Sequence, residues 1–138
     1  MRIAVVDGQG GGIGKAVVEK LRANLGNGID ILALGTNPLA TALMLKAGAQ
    51  EGASGENAIV FNASRVDIIV GSVGIIAANA MLGELSPAMA KAIAESNAKK
   101  VLIPLNRCSI LVAGTKNEPL PNYIEDAVRI IKDIIENK

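Results

Sequence analysis

The sequence predicts an α/β fold, a doubly wound, mostly parallel sheet of about five strands, Rossmann-like, with an antiparallel edge strand. Three observations point there. Short β-branched apolar runs at residues 2–6, 29–34, 66–70 and 101–105 alternate with longer segments of helical period. Those runs lack in–out alternation, which is the pattern of strands covered on both faces. The first run breaks into a glycine cluster that opens directly into a helix.

Residues 2–6 are the first strand, ended by Asp7. Residues 13–25 set Ile13, Val17, Leu21 and Leu25 at helical spacing opposite Lys15, Glu19 and Arg22, and Gly26 is a natural stop. Residues 29–34 are the second strand. Asn37-Pro38 then supplies an N-cap and a proline at the first helical position of a helix running to Ala47. Lys46 is its only charge, so this helix is expected to be buried nearly all round or packed on another subunit.

Residues 58–61 read as a short helix capped by Ser54, or as a strand hairpinned to the next one; the helix is preferred. The loop 52–57 is placed to fold over the strand ends. Residues 66–70 are the third strand, and the apolar segment 72–84 follows without a clear period. Ser86-Pro87 opens an alanine-rich helix to Glu95. Residues 101–105 are the fourth strand, Asn106-Arg107 a turn, and 109–113 a fifth strand that so short a connection forces to run antiparallel. Pro121 opens the last helix, with the stripe Ile124, Val128, Ile131 and Ile135. Glu125 and Asp126 come early in it and Lys132 and Lys138 late, which suits the helix dipole. No linker or repeat divides the chain, so residues 1–138 are one domain.

Half of the residues are hydrophobic and the mean hydropathy is +0.38. A sheet covered on both faces accounts for part of this, and an apolar patch closed by a partner chain for the rest. The weakly charged helix 38–47 and the segment 75–82 supply that patch, so a homo-oligomer is expected, most simply a dimer. With 14 basic and 13 acidic residues the net charge is +1, and Phe61 and Tyr123 are the only aromatics. Neither a basic footprint nor a stacking platform for nucleic acid is present.

Histidine is absent, which excludes His-dependent triads, imidazole acid–base chemistry and most zinc sites. Cys108 is the single cysteine. It cannot close an internal disulfide, and a reducing, cytoplasmic setting fits. Beside Arg107 it is either an activated thiolate or, more ordinarily, a small buried hydrophobe. The first strand starts at once, leaving no room for a signal peptide. The longest apolar stretch, 68–83, contains Ser72 and Asn79 and falls short of the ~20 residues of a membrane span.

The glycine cluster is Asp7-Gly8-Gln9-Gly10-Gly11-Gly12-Ile13-Gly14-Lys15. Glycines let the backbone turn sharply and bring bare N–H groups to a ligand, and the helix N-terminus adds partial positive charge, so an anion is the natural guest. Against GxGxxG, Gly8 and Gly10 match but Ile13 stands at the third glycine. Against the Walker A pattern, Gly14-Lys15 fits, but Gln9 replaces the first glycine and Ala16 the hydroxyl residue. The best fit is GxxxGIG through Gly8, Gly12, Ile13 and Gly14, which resembles the cofactor loop of short-chain dehydrogenases. The resemblance ends there: Tyr123 is followed four positions on by Ala127 where those enzymes carry lysine. The second strand ends in Gly35-Thr36-Asn37 without the acidic ribose ligand, which leaves NAD(P) little supported. The plainer alternative is that the glycines only allow tight strand–helix packing.

In a doubly wound sheet the carboxyl ends of the strands share one rim. Here they carry residues 7–12, Thr36 and Asn37, Ser72, and Asn106 and Arg107. The candidate ligand-binding set is therefore Asp7, Gly8, Gln9, Gly10, Gly11, Gly12, Ile13, Gly14, Thr36, Asn37, Ser72, Asn106 and Arg107. Each has an ordinary alternative: Asn37 and Ser54 as helix caps, Arg107 as a solvated turn residue, and Asp7 as the pin of the loop's own N–H groups. Arg107 is the candidate bidentate clamp on a phosphate.

The strings MRIAVVDGQGGGIGK, ALGTN, GASGENAI, VDIIVGSVGII, NAMLGE, IPLNRC and EPLP run nearly end to end. On them the chain resembles a family of short bacterial proteins described only as a domain of unknown function. The resemblance implies a Rossmann-like cytosolic protein and carries over no catalytic residues. Three functions stay open: binding of a nucleotide or other phosphorylated small molecule; a small enzyme on a phosphorylated substrate with Asp7, Glu56 or Glu84 as acid–base; and an assembly subunit without ligand.

Overall fold

The computed structural model describes residues 1–105 and 109–137; Asn106, Arg107 and Cys108 lie outside the described residues. In chain order the elements are β1 (Arg2–Asp7), α1 (Gly12–Leu25), β2 (Asp30–Gly35), α2 (Pro38–Ala47), β3 (Glu51–Ser54) and α3 (Glu56–Ala63). Then come β4 (Ile68–Ser72), a 3-10 turn (Val73–Ile76), α4 (Pro87–Glu95), β5 (Lys99–Ile103) and α5 (Leu120–Glu136).

The strands form one sheet in the order β3-β2-β1-β4-β5, and every pairing is parallel. This is the order of the first five strands of the Rossmann arrangement. The chain winds outward from β1 to β3, then crosses back to place β4 on the free side of β1, with Ile3 opposite Ile68. The boundary between β1 and β4 is thus the point where the winding reverses.

Strand residues alternate between two cores. Ile3, Val5, Ile31, Ala33, Ile68 and Val70 pack under α1, α2 and α5 together with Val17, Leu21, Met44, Val128 and Ile131. Ala4, Val6, Leu32, Leu34 and Ile69 pack on the other face with Ile59 of α3 and Met89 and Ile93 of α4. Burial on both faces accounts for the unbroken apolar runs. Caps fix where helices begin: the Asn37 side chain accepts from Ala40 N–H at 2.9 Å, and Ser86 Oγ accepts from Met89 N–H at 3.3 Å.

Four expectations are corrected. The antiparallel edge strand is not formed, and the described residues 109–113 contain no strand. Ser109 takes a left-handed φ of 58°, which interrupts extension, and Leu111 is 81% exposed with nothing packed over it. The missing strand's place in the count is taken by β3, in the segment expected to be a loop. Its sequence Glu-Gly-Ala-Ser has little strand propensity, but the open edge of β2 supplies hydrogen-bond partners from Leu32 to Gly35. Small residues are needed there: a Cβ on Gly52 would stand 2.8 Å from Thr41 Cγ2 of α2.

The segment 58–61 is helical, as preferred, but α3 begins after Gly55 with no side-chain cap; Ser54 Oγ instead donates to Thr41 Oγ1 at 2.7 Å. Helix α2, expected to be buried nearly all round or packed on another subunit, keeps the second alternative open: Leu39 is 59% and Leu45 39% exposed in the single chain. Finally, α5 starts at Leu120, so neither its first turn is acidic nor its last turn basic. Its amphipathic packing through Ile124, Val128 and Ile131 holds it rather than its dipole. No helix among the described residues is long and apolar enough to cross a membrane.

Candidate functional site

The glycine cluster joins β1 to α1 at the sheet's reversal point, and its shape follows from one carboxylate. Asp7, 5% exposed at the end of β1, accepts from Gly8 N–H at 2.8 Å and from Gly14 N–H at 2.6 Å. The charge is buried with donors around it, which is the condition for keeping a charge there. Between those two anchors the chain turns through Gln9, at φ 47°, and Gly11, at φ 75°, with Gly11 N–H bonded to Gly8 O at 3.0 Å. Gly14 faces inward, and a Cβ there would lie 2.6 Å from Met44 Sδ. It serves the packing of α1 on α2. Gly10 and Gly12 face open space, where a Cβ on either would meet nothing within 4 Å.

The backbone donors of the loop divide accordingly. Gly8 and Gly14 are held by Asp7, Gln9 by Glu84 at 2.7 Å, and Gly11 and Lys15 by loop carbonyls. Gly10, Gly12 and Ile13 N–H have no acceptor among the described residues. They stand at the N-terminus of α1, where the helix concentrates partial positive charge.

A cavity of about 620 Å³ opens at this point. Its polar wall is Asp7 to Gly12 with Ser72 at the end of β4; its apolar wall is Ile13, Ala80, Met81, Leu82, Leu105 and Leu120, with Gly74 between. A wider groove of about 1,000 Å³ runs along the outer edge of β5 beside α5. That groove lies along an open strand edge, whereas the smaller cavity sits at the carboxyl ends of β1 and β4, so the smaller cavity is the candidate site.

Thr36 and Asn37 do not line the cavity. They are bound instead by Glu84, from the loop between the 3-10 turn and α4. Glu84 Oε1 accepts from Gln9 N–H, from Asn37 Nδ2 at 2.6 Å and from Thr36 Oγ1. The Thr36 hydroxyl above all, with Gln9 N–H and the Asn37 amide, holds the Glu84 carboxyl below the usual carboxylate value against its partial desolvation. Gly8 lies beneath this cluster, and a Cβ on it would collide with Thr36 Oγ1, Met81 Sδ (2.7 Å) and Glu84 Oε1 (2.9 Å).

The same loop carries the backbone outliers of the site. Asn79, Met81 and Leu82 have φ of 66°, 59° and 58°, and Gly83 continues left-handed at 89°. Consecutive left-handed residues with side chains cost roughly 1–2 kcal/mol each. Hydrogen bonds from Gly83 N–H to Asn79 O and from Glu84 N–H to Met81 O close the turn. Leu82, at the cavity mouth, is 99% exposed.

Of the residues expected from the sequence, Asp7, Gly8, Gln9, Gly10, Gly11, Gly12, Ile13 and Ser72 surround the cavity; Gly14, Thr36 and Asn37 do not; Asn106 and Arg107 lie outside the described residues. Leu105, at the end of the fourth predicted strand, belongs to the expected rim; Ala80, Met81 and Leu82 are additions that an apolar, aperiodic segment did not announce, and Leu120 comes from the start of α5. Of the candidate acid–base groups, Asp7 and Glu84 hold donors, and Glu56 lies in the first turn of α3, off the cavity wall. Among the described residues no group of three acidic or cysteine side chains could hold a metal ion.

Fold and site together define a parallel three-layer α/β protein with a glycine-loop crevice at its switch point. The chain belongs to the family described as "Domain of unknown function (DUF3842)", whose model matches residues 2–136. None of the curated proteins matches it. Among solved structures it is similar to a dodecameric FMN-dependent Ubix-like decarboxylase from Escherichia coli O157:H7, with TM-score 0.54 and 16% identity, covering 99% of this chain and 95% of that one. At that identity the likeness is one of fold.

Proposed function

We propose that the chain binds a phosphorylated small molecule of mononucleotide size in the β1–β4 crevice. The observation that carries this reading is the set of Gly10, Gly12 and Ile13 N–H groups, without acceptors among the described residues, at the edge of the cavity. A phosphate there is met by three backbone donors and the helix dipole. The cavity lies within the range of roughly 300–1,000 Å³ usual for small-molecule sites. Its Ile13, Met81, Leu82, Leu105 and Leu120 wall suits a ring system on the far side of the phosphate.

FMN, which the similar decarboxylase depends on, has this division into phosphate and ring and is the first probe. With Asp7 and Glu84 engaged by donors, the arrangement supports binding more than proton transfer. From the sequence, Arg107 remains the proposed second grip on the phosphate, and Arg107→Lys is expected to weaken binding by ~1–3 kcal/mol in calorimetry.

Thermal melting with FMN, mononucleotides and sugar phosphates tests the reading. A ligand at ~100 times its Kd adds ~2.7 kcal/mol of stability. Gly12→Val places a side chain in open space on the cavity wall and is expected to remove the melting shift while leaving the unliganded melting close to wild type. Gly11→Val is a poorer test, because Gly11 is left-handed and its Cβ would lie 2.8 Å from Ala40 Cα. A panel in which no phosphorylated compound moves the wild-type melting overturns the reading.

A further inference from the structure

We infer that Glu84 is a specificity-determining residue: its carboxylate closes the β2 end of the crevice, so that the site takes a phosphate monoester of mononucleotide size and refuses a dinucleotide. The inference rests on the phosphate-site reading above and goes beyond it by naming the residue that sets the size class of the ligand and the larger class it turns away.

A dinucleotide bound at a switch point lies across the strand ends, with its pyrophosphate on the first helix and one nucleoside over the end of the second strand. In this chain that second position is filled. The Oε1 atom of Glu84 accepts from Thr36 Oγ1, from Asn37 Nδ2 at 2.6 Å and from Gln9 N–H at 2.7 Å. These are the polar groups at the end of β2 and in the glycine loop that a second nucleoside would otherwise reach. The closure is tight, for a Cβ on Gly8 would come within 2.9 Å of Glu84 Oε1. It is also fixed from both sides. Asn37 accepts from Ala40 N–H through its Oδ1 as the cap of α2 and donates to Gln9 O at 3.1 Å as well as to Glu84.

Charge acts in the same sense as bulk. A carboxylate beside the loop repels a second phosphate, whereas Gly10, Gly12 and Ile13, whose N–H groups have no acceptor among the described residues, line the cavity that Thr36, Asn37 and Glu84 do not. Position and charge together leave room for one phosphate and its ring in the direction of Leu105 and Leu120, and none toward β2.

The test compares FMN and AMP with FAD and NAD⁺ by calorimetry on wild type, Glu84→Ala and Thr36→Val. For wild type, the better mononucleotide is expected to bind at least tenfold more tightly than either dinucleotide. Glu84→Ala is expected to narrow that ratio at least fivefold, chiefly by raising dinucleotide affinity. Thr36→Val keeps the loop's carboxylate but removes one donor that holds it, and a smaller change in the same direction supports the inference even if Glu84→Ala does not fold. A wild type that binds a dinucleotide as tightly as a mononucleotide overturns the role of Glu84 and leaves the phosphate site standing, as does an unchanged ratio in both variants. Binding of none of the four compounds to wild type overturns the phosphate site and this inference together.

Discussion

At the scale of the residue, the site is a set of local costs held in place by a few charges. Leu82 is left-handed and almost wholly exposed, so it gives the unliganded fold little packing in return for its strain. Leu82→Gly is therefore expected to raise unliganded stability by ~1 kcal/mol in urea unfolding. If Leu82 is part of the ring-facing wall, the same variant binds ligand more weakly, a loss of function from a gain in stability. Asp7→Ala should act in the opposite way. It strips the buried acceptor from Gly8 and Gly14 N–H, and a loss of ~3 kcal/mol or more is expected from two charge-assisted bonds. Glu84 gives a pH signature. Its folded-state value lies below the unfolded one, so its contribution is present above the ordinary carboxylate range and is lost as pH falls through the folded value. Glu84→Gln is expected to be less stable than wild type at ~pH 7, with the gap narrowing as pH falls below the ordinary carboxylate range.

At the scale of the element, legibility in the sequence tracked how much of an element's stability is local. Helix α2 could be read to the residue because Asn37-Pro38 caps it and Gly48 follows it. Strands β1, β2 and β4 were legible because burial on both faces leaves only apolar residues in them. Strand β3 was hidden: Glu-Gly-Ala-Ser is extended only because β2 offers an edge and α2 crosses close above. The segment 109–113 failed in the converse way, having strand-like side chains but a left-handed Ser109 at its start. The glycine loop was legible because glycine is its own signal, and Asp7 because a carboxylate after a buried strand requires donors. The cavity's apolar wall was not, since the left-handed turn at Met81 and Leu82 has no compositional mark. An element-scale check is Ile131→Ala in α5. Ile131 is fully buried against the sheet, and a loss of ~2–5 kcal/mol is expected, with ligand affinity unchanged because α5 meets the cavity only at Leu120.

At the scale of the whole molecule, the single chain leaves apolar surface on two helices: Leu39 and Leu45 on α2, and Val60 and Phe61 on α3, with Arg65 lying 4.1 Å over the Phe61 ring. Helix α2 has only Lys46 as a charge among these positions. We propose that these faces are covered by further copies of the chain, most simply one. Light scattering at micromolar concentration is expected to give at least a dimer mass, and Leu39→Glu to lower it. A wild type of strictly monomeric mass removes the proposal.

The central place of β1 also has a kinetic meaning. Its pairing with β2 joins near neighbours along the chain, whereas its pairing with β4, Ile3 against Ile68, must bridge two strands and three helices. Closing so long a loop is entropically costly before any contact repays it, so such pairings tend to slow folding. The crevice has one wall from residues 7–13 and another from 72–82, so it comes into being only when that distant pairing does. A ligand that needs both walls recognises the finished sheet rather than its assembly, and it should lengthen the lifetime of the native state more than it hastens refolding.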